Sequence, residues 1–154
     1  MNNPLLNTDG LPAFDTIRPD HVASALDVLL AQAGSALETA VGPDVAADYD
    51  AMSAALDVAT EKLDHAWGAV THLNSVVDTP ELRATYNHNL PRVTDFHTRL
   101  SSDERLYAKY KAVAASPAAA EPLLFSAVRD SPVPLSIARF GAESISGSLA
   151  LSTP

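Results

Sequence analysis

One uninterrupted apolar repeat in the middle of the chain decides which class of fold this sequence can adopt. Between Val45 and Val77 an apolar or aromatic residue recurs at alternating steps of four and three, at positions 45, 49, 52, 56, 59, 63, 66, 70, 73 and 77. This spacing puts the apolar side chains on one stripe of an α-helix, whereas a half-buried strand would have a period of two. At 1.5 Å per residue the helix would be roughly 45–50 Å long. Aspartates place its start between Asp44 and Asp48, because acidic side chains favour a helix N-terminus.

Similar stripes predict helices before and after the long one. A first helix begins at Pro19, since proline suits the first helical turn, and it ends before Gly42. A third helix begins at Pro80, where either Asp78 or Thr79 can cap it. The first helix carries an apolar stripe over residues 22–40, and the third helix carries one over residues 82–100.

A fourth helix completes the predicted fold. The Ser-Ser-Asp-Glu segment at 101–104 predicts a capping box for it, and Ser116 followed by proline ends it. Four striped helices with short connections predict an all-α protein, an antiparallel helical bundle built of hairpins. We expect residues 1–18 to form an extended N-terminal segment, residues 19–116 the helical domain, and residues 117–154 a poorly ordered tail rich in proline and serine.

Composition excludes several classes of function. The 154 residues carry a formal net charge of −9, which disfavours nucleic-acid binding because phosphate contacts need clustered Lys and Arg. The absence of cysteine excludes disulfides, thiolate zinc sites and cysteine nucleophiles. No apolar stretch is long enough to span a membrane, and the first residues lack the features of a signal peptide. We therefore expect a cytoplasmic protein without a nucleic-acid or membrane partner.

Three side chains on the long helix are the best candidates for a metal site. Glu61, His65 and His72 lie at i, i+4 and i+11, so they can share one helix face, and such groups bind divalent metals. The simpler interpretation is a solvated face with a weak Glu61–His65 pair, because one helix rarely supplies a complete tetrahedral shell. We therefore predict no catalytic, cofactor-binding or metal-binding residue in this chain.

Other polar and aromatic groups have similarly plain interpretations. An acidic strip on the long helix, formed by Asp57, Glu61 and Asp64, could attract a basic ligand. A solvated surface is the simpler interpretation of this strip. Trp67 and His72 could line a pocket, although packing of Trp67 against the core is the favoured interpretation. The histidines at 88 and 97 are nine residues apart, on opposite faces of the third helix, and cannot chelate an ion together.

Several segments resemble those of a known family in amino-acid sequence and in their order along the chain. They are Asn-Pro-Leu-Leu at 3–6, Leu-Pro-Ala-Phe at 11–14, Ile-Arg-Pro-Asp-His-Val at 17–22 and Trp-Gly-Ala-Val-Thr-His-Leu-Asn-Ser-Val at 67–76. The matches continue with Pro-Glu-Leu-Arg at 80–83 and Asn-Leu-Pro at 89–91. Together they resemble the N-terminal helical region of the oligopeptidase A enzymes in the thimet-oligopeptidase family of zinc metallopeptidases. The resemblance covers roughly residues 3–115.

The resemblance implies a role within a larger enzyme. Full-length members cleave short peptides in a deep channel between helical layers, and a His-Glu-x-x-His helix with a further glutamate holds their zinc far downstream. No residue of this chain matches a zinc ligand or a catalytic residue, so we expect the chain to be inactive by itself. The alternative is a helical interaction module, whose exposed apolar faces self-associate or dock onto a full-length relative.

The tail departs from the family pattern. Ser-Pro-Val-Pro at 131–134 stands where the family continues a helix, while Ala-Arg-Phe at 138–140 resembles it again. A pair of compensating frameshifts or a local recombination would explain this alternation, and we expect a chain truncated before the catalytic domain.

Overall fold

The computed structural model describes residues 3–7 and 10–116, and these residues form an all-α structure. A short 3₁₀ helix, Pro4–Leu6, precedes four α-helices: α1 (Pro19–Val41), α2 (Tyr49–Val76), α3 (Pro80–Ser102) and α4 (Glu104–Ala114). The described residues contain no strand. The predicted fold class is therefore confirmed, while the tail expected at 117–154 lies outside the described residues.

Side-chain caps decide where the helices begin. Pro19 occupies the first position of α1, as predicted. The uncertain start of α2 is settled by Asp48, whose Oδ1 accepts the backbone N–H of Ala51 at 3.1 Å. Of the two candidate caps for α3, Thr79 is the one used, and its Oγ1 accepts the N–H of Leu82 at 3.2 Å. Each cap satisfies a donor that would otherwise lack a partner in the first helical turn.

The start of α4 differs from its prediction. Ser101 and Ser102 lie in the last turn of α3, and both hydroxyls donate to the carbonyl of Thr98, at 3.0 and 2.7 Å. Asp103 is the true cap, because its Oδ1 accepts the N–H groups of Arg105 and Leu106 at 2.9 and 3.2 Å. The predicted capping box was wrong because serine hydroxyls also bond the carbonyls of a preceding turn.

The N-terminal segment, residues 3–7 and 10–18, is less extended than expected. It contains the 3₁₀ helix and a turn at 14–16, and it packs against both α1 and α2. Leu5 and Ile17 are its buried anchors. The Asn3 Nδ2 group donates to the carbonyl of His21 at 2.7 Å and to the Ser24 hydroxyl at 3.1 Å, which fastens the segment to the first turns of α1.

Helix α1 contacts every other element of the described structure. Its buried stripe mixes alanines with larger aliphatic side chains: Val22, Ala25, Leu26, Leu29, Ala33, Leu37 and Ala40. Small alanine side chains let neighbouring helices approach closely, while the leucines fill the space between them. The core is therefore arranged around this one helix.

A buried polar group and an ion pair join α3 to α1. Asn89 is only 1% exposed, and its Nδ2 donates to the Thr85 carbonyl at 2.9 Å. Its Oδ1 accepts from Arg92 Nη1 at 2.9 Å, and the other terminal nitrogen of Arg92 bonds Asp27 on α1. Both ends of the buried amide are thus satisfied, as a buried polar group requires.

Arg105 joins the start of α4 to α1. Its two terminal nitrogens bind both carboxylate oxygens of Glu38, at 2.8 and 2.9 Å, and it also bonds Asp103. The hydrogen bonds from Arg105 lower the pKa of Glu38 and the pKa of Asp103. Because these pKa values are lower in the folded chain than in the unfolded one, the stabilisation is present at neutral pH. It is lost as the pH falls through the lowered values.

Lys109 on α4 closes the C-terminal end of α1. Its ammonium group donates to the carbonyls of Ala40 at 2.8 Å and Gly42 at 2.6 Å, and also to the carbonyl of Val45. A lysine ammonium has three donors, so all of them are used. The positive charge also complements the negative end of the α1 dipole.

Replacing Lys109 by methionine should lower the free energy of unfolding by about 2 kcal/mol, because three charge-assisted hydrogen bonds are lost while the aliphatic stem is kept. Urea denaturation followed by circular dichroism measures this change. Lys111→Met is the matched control, since Lys111 lies exposed on the same helix. Equal stabilities of the two variants would contradict the capping role of Lys109.

Candidate functional site

The three side chains of α2 that were considered as metal ligands do not converge on one point. His65 lines a crevice beneath the N-terminal segment, with Leu5 and Ile17 among its neighbours. The His72 ring lies against the Phe14 ring, with a centroid distance of 5.2 Å, while Glu61 is exposed. Within residues 3–7 and 10–116 no group of three His, Asp or Glu side chains can hold a metal ion. Both histidines instead contact the N-terminal segment.

The crevice beneath the N-terminal segment is too small for a substrate. Its volume is about 10 Å³, which accommodates a single water molecule at most. Its walls are Pro4, Leu5, Asn7, Pro12, Ile17, His65, Ala66 and Ala69. It is therefore a packing gap between the segment and α2.

The acidic strip on α2 is divided between different contacts. Asp64 pairs with His97 of α3, with 3.2 Å between Oδ1 and Nε2. Burial raises the pKa of Asp64, and the neighbouring His97 opposes that rise. Asp57 is half-buried, and its carbonyl accepts the Thr60 hydroxyl at 3.0 Å. Of the three acidic residues, only Asp64 is thus shown to contact α3, while Glu61 is exposed.

Ring stacking and an ion pair occur together where α2 turns into α3, a region called here the α2–α3 corner (residues 67–86). Trp67 stacks on Tyr86, with 4.9 Å between ring centroids and 8° between ring planes. The half-buried Trp67 side chain packs against the core, which confirms the favoured interpretation of this residue. This contact clamps α2 to α3 about two turns from the chain reversal.

A charged pair fixes the chain reversal itself. Asp78 has a φ of 46°, a left-handed conformation that aspartate tolerates better than most residues. Arg83 donates two hydrogen bonds to the Asp78 carboxylate, one from Nε to Oδ1 at 2.8 Å and one from Nη2 to Oδ2 at 2.6 Å. These bonds lower the pKa of Asp78. Arg83 therefore serves to hold the backbone of the corner in place.

The end of α2 also carries groups without partners in the described structure. The Asn74 Oδ1 atom is buried, and no donor within the described residues reaches it. Exposed apolar side chains follow within three residues, where Val76 and Val77 are 63% and 54% exposed. A polar acceptor and an apolar surface therefore lie side by side at this end of the long helix.

Several structurally important residues were missed by the sequence reasoning. Asn89 and Arg92 are three residues apart on one helix, a spacing that could have indicated their contact. Lys109 offers no such signal, because its carbonyl partners lie 64 to 69 residues earlier in the chain. Tyr86 belongs to a predicted apolar stripe, but its stacking partner is also set by tertiary packing.

The sequence profile of the neurolysin/thimet oligopeptidase N-terminal domain matches residues 24–129, more than half of the chain. The chain belongs to this family. Helices α1 to α4 all overlap the matched region, and so does the α2–α3 corner. The resemblance inferred from the motifs is thereby confirmed.

Curated relatives agree with this assignment. Oligopeptidase A of Salmonella typhimurium is 34% identical over 72% of this chain, and that of Haemophilus influenzae is 33% identical over 73%. The probable cytosolic oligopeptidase A of Arabidopsis thaliana is 33% identical over 75%. In each case the match spans only 16% of the relative's own length. Among the helices described, none is both long and apolar enough to cross a membrane.

A double-mutant cycle tests the clamp in the α2–α3 corner. Trp67→Ala and Tyr86→Ala should show a coupling free energy of about 1 kcal/mol in urea denaturation, because their rings stack directly. Trp67→Ala combined with Tyr107→Ala on α4 is the control pair, and its effects should add. Additive effects for the stacked pair would show that the stacking does not stabilise the corner.

Proposed function

We propose that this chain is the N-terminal helical part of an oligopeptidase A-like zinc metalloendopeptidase that degrades short peptides. The observation that carries the proposal is the family match over residues 24–129, together with a match that spans 16% of the length of the Salmonella relative. In this proposal the helices form part of the channel wall that keeps folded proteins away from the catalytic centre. The domain supplies shape, and the rest of the enzyme supplies the chemistry.

Two contacts in the α2–α3 corner support a role as a channel wall. A wall that excludes folded proteins must keep its shape when the surroundings push against it. Trp67 on Tyr86 and Arg83 on Asp78 hold the turn at two separate points. The sequence motifs that resemble the family are also densest in this stretch, from 67 to 91.

The chain alone is proposed to be catalytically inactive. No His-Glu-x-x-His segment occurs in its 154 residues, and the part described by the structure offers no cluster that could hold zinc. Without a bound metal, no water is activated for attack on a peptide bond. Zinc belongs, in this proposal, to the full-length family, as do the short peptide substrates. A cytoplasmic location is proposed from the relative named cytosolic.

An interaction module is the second candidate, favoured by the exposed apolar side chains. Leu11 is 93% exposed, and Val76 and Val77 are more than half exposed. Such side chains could join two copies of the chain or dock it onto a full-length relative. Light scattering at increasing concentration separates the candidates. A dimer that Val76→Lys dissociates would favour the module, whereas a monomer at all concentrations would remove it.

The purified 154-residue chain, supplied with Zn²⁺ and a fluorogenic peptide, should show no chelator-sensitive hydrolysis. The Salmonella oligopeptidase A, assayed in parallel, is the positive control for the peptide and the buffer. Glu61→Gln with His65→Ala is the matched variant, since it removes the two side chains at i and i+4 that were considered as metal ligands on α2. Turnover that co-purifies with the chain and disappears both with chelator and in this variant would contradict the proposed inactivity.

A further inference from the structure

Three of the five histidines contact the N-terminal segment. His21 bonds the segment at its junction with α1, while His65 lines the crevice beneath it and His72 touches Phe14. Histidine changes its charge between pH 5 and 8, so a segment held at such points can respond to acid. Of the three, His21 makes the contact that depends most directly on protonation.

The His21 imidazole is an acceptor at the start of α1. The ring Nδ1 accepts the backbone N–H of Arg18 at 3.1 Å, while the backbone N–H of His21 donates to the Arg18 carbonyl at 3.0 Å. The backbone carbonyl of His21 in turn accepts from Asn3 Nδ2 at 2.7 Å. One residue thus holds both ends of the N-terminal segment, through Asn3 at the beginning and Arg18 at the junction with the helix.

The charged groups near His21 are Arg18 and Asp20. The Arg18 guanidinium is directed to the carbonyls of Asp15 and Ile17, at 3.0 and 3.3 Å, and adds positive charge nearby. Asp20 is the neighbouring acidic residue on α1, yet no carboxylate of the described residues forms an ion pair with His21. From α2, the titratable groups that face the segment are His65 and His72.

We propose that His21 is a proton-sensitive clasp for the N-terminal segment. With Nδ1 unprotonated, the ring completes the cap of α1. Protonation of Nδ1 turns the acceptor into a donor, which abolishes the bond from Arg18, and it places a cation at the positive end of the helix dipole. In acid the Arg18 end of the segment therefore loosens from the first turn of α1, while the bond from Asn3 to the His21 backbone carbonyl remains.

The other two histidines do not produce the same response. A protonated His72 ring beside Phe14 would gain a cation–π attraction, so this contact would not weaken in acid. His65 faces the largely apolar crevice, and its protonation would affect the contact with the segment but not the Arg18 amide. The Arg18 amide is therefore the site whose protection reports on His21.

Hydrogen exchange of the Arg18 amide in the full 154-residue chain tests this clasp. Between pH 7.5 and 5.5, after correction for the intrinsic exchange rate, the protection should fall about tenfold, from loss of the cap and the unfavourable charge at the helix end. His21→Gln should keep its protection at both pH values, since glutamine at this position can accept the same N–H but does not titrate. His21→Ala should show low protection at both.

Two results would overturn the clasp: an unchanged protection in the wild type, or an equal fall in the wild type and in His21→Gln. Should the variants fail to fold by circular dichroism, the wild type alone decides. The imidazole ¹⁵N shift of His21 and the Arg18 protection are then titrated in the same sample. A shared midpoint supports the clasp, and separate midpoints contradict it.

Discussion

The buried stripe of α1 is the constraint on which the rest of the structure depends. Each of the other three helices and the N-terminal segment contacts this helix, and its inward-facing side chains are almost completely excluded from solvent. A substitution such as Leu29→Ala would leave a cavity shared by several elements, and such cavities are costly. By contrast α2 and α4 owe their placement to α1 more than to each other.

Polar contacts then set how each helix is aligned on α1. Arg92 bonds Asp27 in the first half of α1, Arg105 bonds Glu38 in the last turn, and Lys109 bonds the carbonyls just beyond. Such bonds require a defined distance and direction, whereas apolar packing alone allows helices to slide. The apolar stripe therefore supplies most of the association, and these pairs select one arrangement.

Much of this arrangement could be predicted from local patterns. The period of four and three located α2, and Pro19 and Thr79 marked two starts, because these signals act within one or two helical turns. The position of the cap before α4 could not be predicted, since Ser101 and Ser102 are equally able to bond the preceding turn. Contacts such as Lys109 with Ala40 or Trp67 with Tyr86 were also out of reach, because each partner is chosen by the packing of whole helices. The contacts of two histidines on α2 were out of reach for the same reason: His65 lines the crevice beneath the N-terminal segment, and His72 contacts Phe14.

The proposed role joins the fold to the family. In the proposal, the α2–α3 corner, held by the Trp67–Tyr86 stack and the Asp78–Arg83 pair, is part of a wall in a larger enzyme. The most direct measurement is peptide hydrolysis by a chimera in which residues 24–129 of this chain replace the matching region of the Salmonella oligopeptidase A. The account predicts a folded chimera that binds zinc and cleaves short peptides at a rate comparable to the parent, while still sparing folded proteins. A folded, zinc-loaded chimera that cleaves no peptide, or one that degrades folded proteins, would contradict it.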